Sequence, residues 1–187
     1  MVPVMSLWLP IVVAAVFVFV VSSIIHMFLT YHRSDVAAVP GEEGIREAFR
    51  KAAVPPGDYM IPHAGSPAGM KSPDFLRKMT EGPVVSLTVM PSGPPAMGKN
   101  LVLWFVYSVV VSIFAAYVTG RAVGPGESYL AVFRFAGATA FAGYGLGLLQ
   151  SSIWWGRKWS ATMKAVFDAL VYALVTAGAF GWLWPSM

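Results

Sequence analysis

Cysteine is absent from this 187-residue chain, which excludes disulfides, thiolate metal sites and cysteine nucleophiles. Charge is scarce too. Asp, Glu, Lys and Arg make up 12% of the residues, about half the ~25% of an average soluble domain. Histidine occurs only at His26, His32 and His63. Of these, His26 alone falls in or near an apolar stretch. A spacing of six residues does not put His26 and His32 on one face of a continuing helix, so paired haem ligands are not expected. Methionines such as Met27, Met60 and Met90 do not cluster with histidine as a copper site would require. Also missing are a P-loop, a dinucleotide-binding glycine fingerprint, a G-x-S-x-G elbow and an H-E-x-x-H pair. No cofactor and no metal is expected, and no catalytic residue is assigned.

What the chain does have is apolar residues, 57% of the total, gathered in long blocks. Four blocks, at about 4–29, 101–119, 129–150 and 161–184, reach or approach the ~20 residues that a helix needs to cross ~30 Å of hydrocarbon. In lipid each backbone polar group must be satisfied within its own segment, so these blocks read as helices. The ten-residue alternation of a membrane β-barrel is lacking. The expected fold is therefore all-α, a single membrane domain over 1–187 built as a four-helix bundle, with a long, partly helical loop at 30–100. The first block lacks a basic leader and an A-x-A cleavage site, and its apolar run exceeds that of a secretory signal, so it is expected to remain as a span.

The net charge of +4 does not indicate nucleic acid, because the cations flank the spans and form no basic stripe. Arg33, Arg46, Arg50, Lys51, Lys71, Arg77, Lys78 and Lys99 lie in the long loop. Arg157 and Lys158 lie in the tight link between the last two blocks, with Lys164 just beyond. The opposite side holds Arg121, with Arg134 inside the third block. The positive-inside rule then places the loop in the cytoplasm and both termini outside. Trp154, Trp155 and Trp159 fall at the inner boundary, and Trp8, Trp182 and Trp184 at the outer, where an indole finds both apolar contact and a partner for its N–H.

Within the loop, Glu42 to Ala53 carries Ile45, Ala48, Phe49 and Ala52 on one helical face, with Glu42–Arg46 and Glu47–Lys51 spaced for ion pairs. Ser72 is placed to cap a short helix with Pro73 first and Phe75, Leu76 and Met79 as its apolar face. Val84 to Met90 is too short to span and reads as a strand or an interfacial segment. The PPG at Pro55 to Gly57 and the SGPP at Ser92 to Pro95 read as turns.

Small residues recur every four positions in the third block (Thr139, Gly143, Gly147, Ser151) and the fourth (Ala165, Ala169, Ala173, Ala177, Gly181). Such stripes let membrane helices approach closely; a ligand groove is the other reading. The GYGLG run at Gly143 to Gly147 is read as part of a continuous apolar helix. Beside the alanines runs a polar stripe of Lys164, Asp168, Tyr172 and Thr176. Asp168 is the foremost candidate, since an ionisable group within a span is rare and costly. Lys164 at i−4 or Arg157 could simply neutralise it. Arg134 is not its partner, because a hairpin folded near Lys158 separates the two by roughly 20 Å along the membrane normal. His26, Gln150, Asp168 and Tyr172 fall at comparable depth and form a candidate polar pocket; separate interfacial residues are the plainer reading.

Three stretches, PPGDYM at Pro55 to Met60, MGKNLVLWFVYS at Met97 to Ser108 and ALVTAGAFGWLWP at Ala173 to Pro185, together resemble a family of uncharacterised bacterial four-span inner-membrane proteins. The resemblance covers most of the chain. It implies a bacterial inner membrane and supplies no activity. The expected role is a non-enzymatic membrane subunit, structural or accessory to a larger assembly, whose partners are the lipid bilayer and other membrane subunits or itself. A small proton-coupled transporter component acting as an oligomer is the first alternative. A lipid-modifying membrane enzyme, for which no cluster of catalytic side chains is evident, is the second.

Overall fold

The computed structural model describes residues 1–186. Four helical segments are long and apolar enough to cross a membrane: Val4–Phe28, Met97–Ala122, Tyr129–Trp155 and Trp159–Trp182, of 25, 26, 27 and 24 residues. All four lie in one compact unit, Met1–Val36 with Ala96–Met187; Ala37–Pro95 forms the other.

The first segment opens with a 3-10 turn at Val4–Leu7 and continues as α1 (Trp8–Phe28). The second is α4 (Met97–Ala122). The third starts at the Ser128 cap, whose hydroxyl accepts from the Ala131 N–H at 3.4 Å, and runs as α5 (Tyr129–Tyr144). It is not the continuous helix expected. At Gly145 the helix gives way to a 3-10 turn over Leu146–Leu148, then resumes as α6 (Leu149–Trp155). Three glycines in the GYGLG run weaken helix propagation, and Gly145 lies close against α7 (Trp159–Trp182): a Cβ there would sit 3.1 Å from the Ala169 Cβ. Gly156, at φ +68°, makes the left-handed stop that lets the chain reverse into α7.

Interior positions are filled by alanine from every span, including Ala14, Ala115, Ala136, Ala140, Ala169, Ala173 and Ala177. A core of such small residues permits close helix approach, where dispersion contacts and not water exclusion hold membrane helices together. The α5–α7 contact uses Gly137, where a Cβ would lie 3.1 Å from that of Ala177. Gly143 abuts Val111 of α4 instead, at 3.0 Å by the same measure, and Gly147 has nothing within 4 Å. The four-residue stripe thus does not run unbroken along one contact, because Gly143 faces α4 and Gly147 falls in the 3-10 turn. Meanwhile Phe135, Phe167, Leu170 and Leu174 point outward, as suits contact with acyl chains.

Both chain ends are pinned at the α4–α5 end of the bundle. The Val2 N–H donates to the Gly120 carbonyl, and the Gly126 N–H to that of Pro185, each at 2.8 Å. The Trp184 indole donates to Gly124 O at 2.8 Å. At the opposite end the chain leaves α1 through a 3-10 turn at Tyr31–Ser34.

The Ala37–Pro95 unit holds α2 (Glu42–Lys51), β1 (Gly57–Ile61), α3 (Pro73–Glu81) and β2 (Val85–Val89). Ser72 caps α3 as its sequence predicts, accepting from the Phe75 N–H at 3.2 Å. The Val84–Met90 segment contains the strand β2, which pairs antiparallel with β1 so that Tyr59 faces Leu87. Pro55–Gly57 leads into β1, a strand that a turn reading does not anticipate. In α2 the ion pairs run from Glu43 to Arg46 at 3.0 Å and to Arg50 at 2.6 Å. These replace the expected pairs through Glu42 and Glu47.

The contrast between Gly137 and Gly147 is testable. Gly137→Leu should destabilise the bundle by about 1–3 kcal/mol through overpacking, whereas Gly147→Leu should stay within about 0.5 kcal/mol of the parent. Unfolding of both variants in detergent micelles, monitored by tryptophan fluorescence, reads the difference; equal effects would refute the packing scheme.

Candidate functional site

The chain after α1 turns back on itself. Once α1 stops at Phe28, the 3-10 turn at Tyr31–Ser34 folds beside α7, and the Tyr31 carbonyl accepts from Lys164 Nζ at 2.6 Å. This turn presents Tyr31 and His32 to Asp168, which α7 holds 3% exposed. The Tyr31 hydroxyl donates to Asp168 Oδ1. His32 Nε2 lies 2.7 Å from Asp168 Oδ2, and the other ring nitrogen, Nδ1, lies 2.6 Å from Asp35 Oδ2. Lys164 Nζ closes the circuit on Asp35 Oδ1 at 2.8 Å and on Ser34 Oγ at 2.8 Å.

The electrostatics are self-consistent. At 2.6 and 2.7 Å, both His32–carboxylate contacts are within hydrogen-bond distance, one at each ring nitrogen. Lys164 supplies a cationic partner to Asp35, and the buried Asp168 has both carboxylate oxygens hydrogen-bonded, as a charge held away from water requires. Hydrogen bonds from Lys164 foremost, and then from His32, keep the Asp35 carboxyl below the usual aspartate range. Burial, and after it the bond to Asp168, pushes the Tyr31 phenol above its ordinary value. Tyr31 is therefore a firm donor at neutral pH.

Of the residues anticipated from sequence, Asp168, Tyr172 and His26 meet and Gln150 does not. Tyr172 is buried one turn beyond Asp168, with its hydroxyl 3.4 Å from His26 Nε2. Gln150 is exposed on α6 and takes no part in the network. Lys164 pairs with Asp35, not with Asp168 as its i−4 spacing suggests, and the partners of Asp168 come from the turn. His32 escapes sequence reasoning because its spacing from His26 is counted along a continuing helix. In fact the helix ends first, and the His26 and His32 rings lie 4.8 Å apart. The signal is the polar run Tyr31 to Asp35, whose His32–Asp35 spacing complements Lys164–Asp168 on α7.

Deeper in the bundle the network meets an aromatic layer. Trp104 lies 5.7 Å from Tyr172 and 6.1 Å from Tyr144, and Tyr144 and Tyr172 are 5.7 Å apart by ring centroids. The Trp104 indole donates to Ser22 Oγ at 2.8 Å, so every span contributes to this level. Ligand atoms of His26, His32 and Asp168 all fall within 4.8 Å of one another. Two imidazoles and a carboxylate at that separation can share a proton or a cation. Compared with protein-family models, with curated proteins and with solved structures, the chain has no match in any of the three.

The His32–Asp168 contact should carry a measurable coupling. A double-mutant cycle with His32→Ala and Asp168→Ala, read from unfolding in detergent, is expected to give about 1–3 kcal/mol. The exposed Glu43–Arg46 pair should give almost none. Additive effects of the two alanine substitutions would remove the network as a unit.

Proposed function

We propose that this protein is a multi-pass subunit of a bacterial inner membrane, non-enzymatic, which holds its Ala37–Pro95 unit on the cytoplasmic side as a docking element for a larger assembly. The observation that carries this reading is that no residue from Ala37 to Pro95 is buried. The unit nonetheless has two helices, one of them capped by Ser72, a two-stranded sheet and apolar faces bearing Ile45, Leu76 and Met79. A two-stranded sheet and two short helices without a core fall below what such elements need for independent stability. A partner surface would complete them. The orientation draws support from the cations: Arg33, Lys99, Arg157, Lys158 and Lys164 gather at the bundle end opposite the chain termini. The family resemblance points to the same compartment. Replacing Gly41 to Pro91 by a short Gly/Ser linker should leave the bundle's unfolding unchanged and strip away proteins that co-purify stoichiometrically in mild detergent. A full-length protein that purifies alone, with nothing lost on deletion, would end this reading.

A second reading, proton transfer through an oligomer, has one specific observation in its favour. Ser108, Ser112, Thr119, Tyr144 and Thr176 line the bundle interior beyond Asp168, each buried. Among the described residues, the hydroxyls of Ser112, Thr119 and Tyr144 have no hydrogen-bond partner. Unpartnered interior hydroxyls are costly and are positions where ordered water can bridge. Gln150 stands outside this row of hydroxyls. In vesicles loaded with a pH-sensitive dye, this reading expects an imposed proton gradient to decay through the protein, with Asp168→Asn slowing the decay at least tenfold. Gradients that persist equally with and without the protein would eliminate it.

A further inference from the structure

We propose that His26, His32 and Asp168 form a binding site for a divalent first-row transition-metal ion, with Asp35 as its outer-sphere orienting group. The three ligands come from different elements: the last turn of α1, the 3-10 turn after it, and α7. Around an ion with bonds of about 2.0–2.2 Å, neighbouring ligand atoms stand roughly 3–3.6 Å apart in octahedral or tetrahedral arrangements. The His32 Nε2–Asp168 Oδ2 separation of 2.7 Å opens by well under an ångström to reach that geometry, and the wider separations, up to 4.8 Å across the set, close by about 1 Å through rotation of the exposed His26 ring. In the hydrogen-bonded state a proton lies between His32 and Asp168; the ion takes its place and the proton is released to water.

The surroundings are those that a metal-binding histidine requires. A ligating imidazole donates its second ring N–H to a carboxylate or carbonyl, which fixes both its tautomer and its plane. His32 has that partner in Asp35, 2.6 Å from Nδ1, and Asp35 is itself held by Lys164 at 2.8 Å. Nε2 is thereby left to face Asp168. On the carboxylate, Tyr31 occupies Oδ1 and leaves Oδ2 toward His32. His26 is the least engaged of the three. Its one polar contact is the long 3.4 Å approach to the Tyr172 hydroxyl, and its side chain is exposed. Its ring can therefore adjust, and ions can reach the site from the boundary of the bundle.

Ligand chemistry narrows the ion. Two imidazole nitrogens and one carboxylate suit Zn²⁺, Fe²⁺, Mn²⁺ or Co²⁺. They are a poor set for Ca²⁺ or Mg²⁺, which prefer all-oxygen cages, and for Cu⁺, which prefers sulfur. Three protein ligands leave at least one position for water or an anionic ligand, as in sites that react or exchange and unlike closed four-ligand structural sites. Both the hydrogen-bonded and the metal-bound forms join α1, the turn and α7, so the bundle tolerates either occupant. The site stands independently of the subunit reading, since it draws on no residue of Ala37–Pro95.

The test is a titration of chelator-treated, full-length protein in detergent micelles with Co²⁺ alone, monitored by visible absorption, with equilibrium dialysis against Zn²⁺ for stoichiometry. One ion per chain is expected, with d–d bands of a four- or five-coordinate site that Zn²⁺ abolishes. His26→Ala, which removes no short hydrogen bond, should keep the parent melting curve and weaken binding at least tenfold. Asp35→Asn should retain one ion per chain and weaken it about 10–100-fold. His63→Ala, in the other unit, should change nothing. Absence of saturable binding would overturn the proposal, and so would binding that His26→Ala leaves at parental strength. Loss of binding on His63→Ala would likewise overturn it, by placing the ion elsewhere.

Discussion

A carboxylate held 3% exposed in an apolar bundle must be neutralised and hydrogen-bonded, because an unpaired buried charge costs several kcal/mol, of the order of 3–5 when a partner is lost. Asp168 imposes that requirement, and it dictates the path of the chain around it. The spans alone provide no cation at the right place: Lys164 sits a turn nearer the boundary and is taken by Asp35, and Arg134 is exposed on α5. The segment leaving α1 answers instead. It stops being helical at Phe28, folds into a 3-10 turn and brings Tyr31 and His32 to the two carboxylate oxygens. Placing His32 there creates a second demand at Nδ1, which Asp35 meets, and Asp35 in turn engages Lys164. One buried acid thus fixes four side chains and the point at which the chain departs from the bundle.

The same constraint explains which features are legible in the sequence and which are not. Spans are legible because twenty apolar residues have few alternatives to a helix in hydrocarbon. Ser72 and the residues of α3 are legible because a cap and an amphipathic face are local properties. Asp168 stands out as an acid within a span. Its partners are not local. They depend on where α1 ends, and neither Thr30 nor Tyr31 is a strong helix breaker. Counting His26 to His32 along an uninterrupted helix separates two rings that the fold brings to 4.8 Å. The GYGLG run hides its break for the opposite reason: glycines in an apolar block signal close packing and helix interruption alike, and here Gly143 serves the first while Gly145 serves both. β1 is concealed because the turn residues Pro55 and Pro56 precede it and Gly57 begins it, and its partner strand is 24 or more positions away.

The two ends of the bundle are built differently, and the difference bears on where activity can reside. At the end that gathers both termini, backbone bonds from Val2 to Gly120 and from Gly126 to Pro185 tie the chain with neutral groups. The buried packing there is Leu7, Val132 and Phe180. At the other end the ties are ionisable side chains over an aromatic layer. A neutral seal cannot respond to protons or metal ions. An ion-paired one can, because every tie in it has a second state in which a proton or a cation has changed places.

That property also limits how far the network can be interpreted as mere structure. Were its sole task to anchor the turn, apolar side chains of similar volume would do so as well or better, since buried ion pairs seldom exceed a hydrophobic replacement in stability. Tyr31 and Lys164 would suffice for pinning, through the hydroxyl and the backbone carbonyl. What they do not require is an imidazole with both nitrogens committed and a second imidazole, His26, 4.8 Å away and lightly held. A free histidine beside a bound one, both facing a carboxylate, is excess to anchorage. It is what a site needs when a cation enters from the boundary and exchanges a flexible ligand before it reaches the rigid ones.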